Sequence, residues 1–452
     1  MRKNPKIVIL GAGPCGLGAA WRLEELGYKD FKVFEKNFSP GGLSSSFLDE
    51  RGFTWDIGGH ILFSHYRYFD RVIQSVFKKD LLEHQREAWI FIKERWVPYP
   101  FQYNIRYLSE KDIKACLKGL EELKKKTKRP KNFKEWILKN FGKGIAKLFM
   151  LPYNSKQWAF PLDKMSYDWI GERVAIPDIK RIKENIKFKR DDKNWGPNRK
   201  FKFPLRGGIG EIWKRIYGKL NQKNFFFGEE AIKIYTRKKC IIFKRGRKEN
   251  YDVLITSISL DVFVLNSDLS QKSLVKNLYH SGIYVFGIGL KSKVPEYLQE
   301  KSWIYFPEKK FVFHRVTLFS NYSPYNAPAG CWSLLVEISE SRYKKIAKKN
   351  LEREIIQGLK KAKFIKKEEE IVDLWSHYEP YAYPIPSLNR NKGLKILNML
   401  EKFDIYSRGR FGAWKYEVGN QDHSFMQGVE VVDKILFNKK ELTVWHPEIV
   451  NK

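Results

Sequence analysis

The chain has 452 residues, of which 43% are apolar and 15% aromatic, enough for a sizeable core and too much for a disordered chain. A formal net charge of +34 fits either a polyanion-binding surface or a lysine-rich solvated one. At roughly 100–200 residues per domain the length allows two or three domains, and no run of about 18 apolar residues is present to span a membrane.

The chain begins with MRKNPKIVIL, which runs straight into a strand rather than a cleavable signal, so the expected location is cytoplasmic. Cys15, Cys116, Cys240 and Cys331 are too scattered for a zinc site and too few for a disulfide framework, so reduced thiols and no metal are expected. Residues Ile7 to Leu10 read as a strand, Gly11-Ala12-Gly13-Pro14-Cys15-Gly16 as a glycine turn, and the stretch through Leu17, Ala20, Leu23 and Leu26 as a helix ending at Gly27. A second strand, Lys32-Val33-Phe34, ends on Glu35, which completes the opening βαβ unit of a dinucleotide fold. Ser39-Pro40-Gly41-Gly42-Leu43-Ser44 is a further turn.

Ser109 and Asp112 have capping-box spacing ahead of a helix with Ile113, Cys116, Leu120 and Leu123 on one face. A second helix follows from Asn132 through Trp136, Ile137 and Phe141. Strands are expected at 251–256, 282–290, 311–318 and 332–338; the last three form an antiparallel sheet, since no long crossover helix separates them. A helix from about Ser424 to Leu436 carries Phe425, Val429, Val432 and Leu436 on one stripe. The expected fold is α/β: a Rossmann-type domain over 1–83, 206–278 and 404–452, a helical domain over 108–183, and an antiparallel sheet domain over 84–107, 184–205 and 279–403.

A lone G-x-G-x-x-G is weak evidence, but this one follows a strand, opens a helix and precedes an acid 22 residues after Gly13. Gly11 permits the tight turn, Gly13 lets the backbone approach a pyrophosphate, Gly16 allows close packing, and Pro14 suits the first helical position. Glu35 would accept from an adenosine ribose hydroxyl and repel a 2′-phosphate, although Lys36 beside it weakens that second inference. Gly41, Gly42, Leu43 and Ser44 follow the acid at short range, which favours FAD over NAD, because a second glycine turn lets the chain pass beside the flavin half. The amino end of the helix at Ser424 could stabilise negative charge on the N1–C2 edge of a reduced flavin.

Longer motifs carry a resemblance: GGLSSSF at 41–47, DIGGHILFSHYRYFD at 56–70, WVPYPFQYNI at 96–105, LPYNSKQWAFPLDKMSYDWIGERVAIP at 151–177, NWGPNRKFKFPLRGGIGEIW at 194–213 and RGRFGAWKYEVGNQDHSFMQGVE at 408–430. Over nearly its full length the chain resembles flavin-dependent UDP-galactopyranose mutases, more closely the branch typical of eukaryotes. The resemblance implies interconversion of UDP-galactopyranose and UDP-galactofuranose with no net redox change, through attack of the N5 of reduced FAD on the anomeric carbon. NADPH or NADH would be the transient reductant.

The resemblance also implies roles residue by residue. Arg173 and Arg315 would clamp the departing diphosphate, a task suited to arginine's bidentate fork. Tyr99, Phe101, Gln102, Met150, Asn154 and Trp158 match uridine-side positions; Trp303 and Tyr305 lie on the sheet insertion, and Tyr383 and Tyr416 would donate to the diphosphate. Asn194 and Asn198 belong to a loop that closes over substrate. Gly58, Gly59 and His60 match a loop that responds to flavin redox state, with Phe63 and His65 nearby; a structural histidine is the alternative for His65. Arg410 and Asn420 match positions near flavin and sugar, and Gly412 and Gln421 positions near the cofactor. Lys415 stands where arginine is common, with the charge kept.

Two other readings compete: a flavin amine oxidase or desaturase, and a surface-binding protein driven by the +34 charge. A pair of arginines at the site would repel an amine, and no nucleic-acid module is recognisable, so no nucleic-acid partner or membrane insertion is expected. A mutase acting on another UDP-sugar is a further alternative, and the oligomeric state is not legible.

Overall fold

The computed structural model describes residues 4–125, 129–193 and 195–451. Five parallel strands form one sheet in the order Ile405–Ser407, Val253–Thr256, Ile7–Leu10, Phe31–Glu35 and Phe225–Phe227. Every residue of Ile7–Leu10 and Val253–Thr256 is buried, as in a parallel sheet covered on both faces. The strands come from widely separated stretches of chain, so the sheet is completed only when the tail returns.

That return is fixed by two glycines. Helix Pro14–Glu25 crosses helix Gln421–Phe437 so closely that a Cβ on Gly18 would lie 2.2 Å from the Phe425 carbonyl oxygen, and one on Gly428 2.0 Å from that of Cys15. The tail helix begins at Gln421, not at Ser424 as its apolar stripe suggests. Asn420, extended at φ −69° and ψ 170°, ends the preceding loop, and the Ser424 N–H already donates to the Asn420 carbonyl at 2.9 Å. The free N–H groups of this helix therefore lie one turn earlier than expected.

Seven strands form a second sheet in the order Ile371–Ile385, Tyr279–Leu290, Trp332–Glu340, Arg315–Leu318, Trp303–Tyr305, Ala88–Ile92 and Arg95–Pro98. Its neighbours are antiparallel except that Trp303–Tyr305 runs parallel to Ala88–Ile92, so the expected antiparallel sheet is a mixed one. Ala88–Ile92 arrives from ahead of the helical region in a hairpin with Arg95–Pro98, and no hairpin joins it to Trp303–Tyr305. The strand expected over 311–318 begins only at Arg315, because Phe311 and Phe313 turn inward to pack on Phe306. Among the described residues no helix is long and apolar enough to cross a membrane.

The helical region carries the expected cap at Ser109 and a second one at Asn132. Ser109 accepts from the Asp112 N–H ahead of helix Glu110–Glu121, and Asn132 from the Glu135 N–H, at 2.9 Å, ahead of Phe133–Ile145; such caps contribute about 1 kcal/mol each. A ring column, Phe101 on Phe149, Phe149 on Tyr153 and Tyr153 on Tyr305, joins this region to the mixed sheet.

Candidate active site

The glycine turns form a cradle at the carboxyl ends of the adjacent strands Ile7–Leu10 and Phe31–Glu35 in the parallel sheet. Gly11 has φ +103°, and a Cβ there would lie 2.2 Å from the Ser257 hydroxyl; one on Gly16 would lie 1.8 Å from the Gly11 carbonyl oxygen. At Gly13 a Cβ would meet only the Gly41 and Gly42 backbone at 3.8 Å or more, so protein packing does not require glycine there. Close approach of a ligand backbone is the reason left for it. The second turn docks on the first: the Gly41 N–H donates to the Ala12 carbonyl at 3.0 Å, and Gly42, Leu43 and Ser44 make a single 3₁₀ turn.

Glu35 is buried, with one carboxylate oxygen accepting from the Ala12 N–H at 2.7 Å and the other from the Asn37 N–H at 2.9 Å. The acid thus both closes the fingerprint turn and keeps lone pairs for a hydroxyl, while Lys36 is exposed to solvent. Pro14 occupies the first turn of the helix that Gly13 caps. These features fit a dinucleotide.

At the other end of the site Gly58 and Gly59 lie flat on the mixed sheet. A Cβ on Gly58 would be 2.5 Å from a Glu337 carboxylate oxygen, and one on Gly59 2.3 Å from the Thr317 hydroxyl. Glu337, 1% exposed, faces Arg315 across the strand pair and binds it through two nitrogens: Nη2 at 2.8 Å and Nε by a shorter bond. His60 follows the glycines. Burial first, then the Arg410 and Arg315 charges, push its pKa down to about 3, so the imidazole is neutral at neutral pH, and its Nδ1 has no partner among the described residues.

Three cations gather beside aromatic rings. Arg410 donates to the Ala382 and Gly419 carbonyls, both at 3.0 Å, and lies 5.2 Å from the Tyr383 ring and 5.6 Å from that of Tyr416. Arg173 donates from Nη2 to the Glu417 carbonyl at 2.5 Å and lies 5.9 Å from the Tyr416 ring. Arg315 faces Tyr305 across its strand pair. Trp158 meets Tyr416 edge-on at 4.7 Å and Tyr383 at 5.9 Å.

The residues expected at the site separate by exposure. His60, Tyr99, Arg173, Tyr305, Arg315, Tyr383, Arg410, Tyr416 and Asn420 are half-buried and can meet a ligand. Phe101, Gln102, Met150, Asn154, Trp158 and Trp303 are buried. The Phe101 ring is wholly engaged by Phe149, Gln102 donates to the Ala175 carbonyl, and Asn154 donates to the Met150 carbonyl at 2.7 Å. Phe101 and Trp303 are thus packed in the interior, at 0% and 4% exposure. Asn198 accepts from Arg86; Asn194 lies outside the described residues. Gly412 sits in the tight turn after strand Ile405–Ser407, where a Cβ would be 2.1 Å from the Arg408 carbonyl oxygen.

Gln421 ties the tail helix to the His60 loop: its side-chain amide donates to the Ile61 carbonyl and its oxygen accepts from the Trp213 indole at 3.0 Å. Next to it, fully buried Asp422 accepts from the His65 backbone at 3.0 Å and from its ring at 2.8 Å, which identifies His65 as a structural histidine holding this loop. His423 completes a group of three whose ligand atoms lie within 4.8 Å of one another. Burial, opposed by Asp422, pushes the His423 pKa down to about 4. Glu337 and Arg86 are the site residues that sequence reasoning missed. Arg86 is 4% exposed, holds the Trp195 carbonyl and Asn198, and lies 5.0 Å from the Tyr99 ring.

Residues 9–78 match the NAD(P)-binding Rossmann-like domain family. A zeta-carotene-forming phytoene desaturase of Myxococcus xanthus is 49% identical over 57 residues, a local match spanning 13% of this chain and 11% of the desaturase. The crystal structure of a reduced UDP-galactopyranose mutase is similar at 46% identity and a TM-score of 0.97, with 99% of each chain covered. A fatty acid isomerase from P. acnes has a TM-score of 0.65 at 15% identity, covering 96% of this chain and 99% of its own, and a putrescine oxidase 0.65 at 14% with the same coverage. These last two show the fold alone.

Proposed function

The chain belongs to the UDP-galactopyranose mutase family, and on that premise we propose that it interconverts UDP-galactopyranose and UDP-galactofuranose with FAD as cofactor. The observation that carries this reading is the gathering of Arg173, Arg315 and Arg410 around Tyr305, Tyr383 and Tyr416, at one end of a site whose other end is a dinucleotide cradle. Three guanidinium groups suit a diphosphate and oppose a cationic amine. When bound and reduced, the flavin supplies the nucleophile, in line with a site that needs no side-chain nucleophile.

The chain's own residues do the rest. Gly11, Gly13, Gly16 and Glu35 would hold the adenosine diphosphate half of the cofactor, and Gly41 to Ser44 would line its flavin half. Glu337 occupies Nε and Nη2 of Arg315, which leaves the Nη1 edge for a diphosphate oxygen. Arg410, fixed by two carbonyls, and Arg173, fixed by one, add positive charge where negative charge grows as the sugar–phosphate bond breaks. His60, neutral, offers one N–H and one lone pair rather than a competing charge. Asp422, through His65, and Gln421, through Ile61, hold the His60 loop against the amino end of the tail helix.

NADPH or NADH is the proposed reductant, tested by anaerobic bleaching of the flavin absorbance; persistence of the oxidised spectrum with both would exclude them. A cytoplasmic location is proposed on the four free cysteines, which suit a reducing compartment. The function itself is tested by giving UDP-galactofuranose to dithionite-reduced and to oxidised protein. UDP-galactopyranose is expected from the reduced form alone; equal turnover by the oxidised form, or none by either, overturns the reading.

A further inference from the structure

Lys156 lies on the helix Leu151–Trp158, between Asn154 and Trp158, and its side chain is 8% exposed. Its Nζ meets three main-chain carbonyls: Phe306 at 2.7 Å, Glu308 at 3.1 Å and Phe311 at 2.7 Å. Those carbonyls belong to the loop that joins strand Trp303–Tyr305 to strand Arg315–Leu318. One side chain therefore fastens the helix bearing Asn154 and Trp158, to which the mutase resemblance assigns the uridine side, to the connection that delivers Tyr305 and Arg315.

The surroundings argue against a passive surface lysine. Burial, and the nearby Lys344 charge, push the Lys156 pKa well below its ordinary value, and His314, beside Arg315 in the same connection, is held neutral by burial and by the Arg315, Lys344 and Lys156 charges. A buried amino group in such a place is costly and persists where its hydrogen bonds are needed. An apolar side chain of the same length would leave the Phe306 and Phe311 carbonyls without this donor and the Glu308 carbonyl with only the Phe311 N–H at 3.3 Å.

We propose that Lys156 is a positioning residue that locks the uridine-side helix to the Arg315 strand, so that the nucleoside and diphosphate ends of one ligand are gripped at a fixed separation. This inference rests on the UDP-sugar reading above. Two subsites held at the right spacing bind a ligand that spans both more tightly than a ligand that reaches one. UDP spans both; UMP, one phosphate shorter, depends more on the uridine side. Loosening the link should weaken UDP more than UMP, whereas general damage to the fold scales both affinities alike.

The test uses full-length, FAD-loaded, reduced protein, with UDP and UMP dissociation constants measured by displacement of a fluorescent UDP conjugate. In Lys156→Met the preference for UDP over UMP should shrink by at least about fivefold, as a displacement near 1 Å can cause. Lys156→Gln, whose amide has two donors, should lose less. Lys156→Arg, which keeps the charge and donors, should stay closer to the wild type than either. A Lys156→Met protein with wild-type circular dichroism and flavin content, and a preference within twofold of the wild type, overturns the inference. If Lys156→Met does not accumulate folded, Lys156→Gln is judged by the same twofold criterion. Should the wild type bind neither nucleotide, the proposed function falls and this inference with it; a wild type that prefers UDP, with variants that keep the preference, sinks the inference alone.

Discussion

Replacing Glu337 by glutamine isolates the pairing on which the placement of Arg315 depends. The carboxylate is 1% exposed, directly opposite Arg315 in register, and binds two of its nitrogens, with the Gly58 turn lying on the same oxygen. Removing one partner of a buried ion pair costs about 3–5 kcal/mol. Glutamine keeps the volume and one acceptor oxygen, so about 2 kcal/mol is the expected loss. If that loss is felt where the diphosphate departs, kcat/KM falls on the order of thirtyfold. The assay is steady-state conversion of UDP-galactofuranose by reduced enzyme, beside a thermal melt of the FAD-loaded protein. A kcat/KM within twofold of the wild type and an unchanged melting temperature would show that the pair does not position Arg315.

Asp56, fully buried with Ser46 and the Ile209 N–H as donors, has its pKa raised by burial from 3.8 to about 7. Between those values the folded state binds the extra proton, so this group's contribution to stability falls as pH rises. Asp56→Asn should gain on the wild type by up to about 1.4 kcal/mol per pH unit across that window, read as the difference in melting temperature at pH 4.5 and 7.5; a constant difference contradicts the assignment. Glu35→Gln should weaken FAD binding about tenfold, through the charge-assisted bonds from Ala12 and Asn37, and an unchanged flavin dissociation constant would count against the cradle. Arg173→Met should raise the UDP dissociation constant by roughly tenfold to a hundredfold, with little change in melting temperature. With a net charge of +34 steering an anionic substrate, KM for the UDP-sugar should rise with ionic strength, and a salt-independent KM would remove that role from the surface lysines.

What the sequence made legible was whatever a local pattern encodes. The first βαβ unit, the cap at Ser109 and the two glycine turns all follow from residues within a few positions of one another. The 15-residue strand Ile371–Ile385 was not legible, because Pro380 and Pro384 read as breakers; it is the edge strand of its sheet, where a missing N–H is tolerated. The tail helix begins one turn ahead of its apolar stripe, which starts at Phe425, because Gln421, Asp422 and His423 turn their side chains to the His60 loop and the His65 ring. Glu337 and Arg86 escaped notice for a related reason. An acid on a fully buried strand and an arginine after a polar strand have no local signature, and their partners, Arg315 and Asn198, lie 22 and 112 positions away. Lys156 is the same kind of residue, 150 positions from the first carbonyl that it holds.

The central claim is that this site breaks and remakes the bond between the anomeric carbon and the diphosphate, with Arg173 and Arg315 holding the diphosphate in the interval. UDP-galactopyranose labelled with ¹⁸O in the bridge between that carbon and the β-phosphorus tests it directly. Reduced protein should move the label from the bridging to the non-bridging β-phosphate positions, faster than it is lost to bulk water, and oxidised protein should leave it in place. Label that stays bridging while reduced enzyme forms UDP-galactofuranose, or that scrambles equally with oxidised enzyme, would contradict the account.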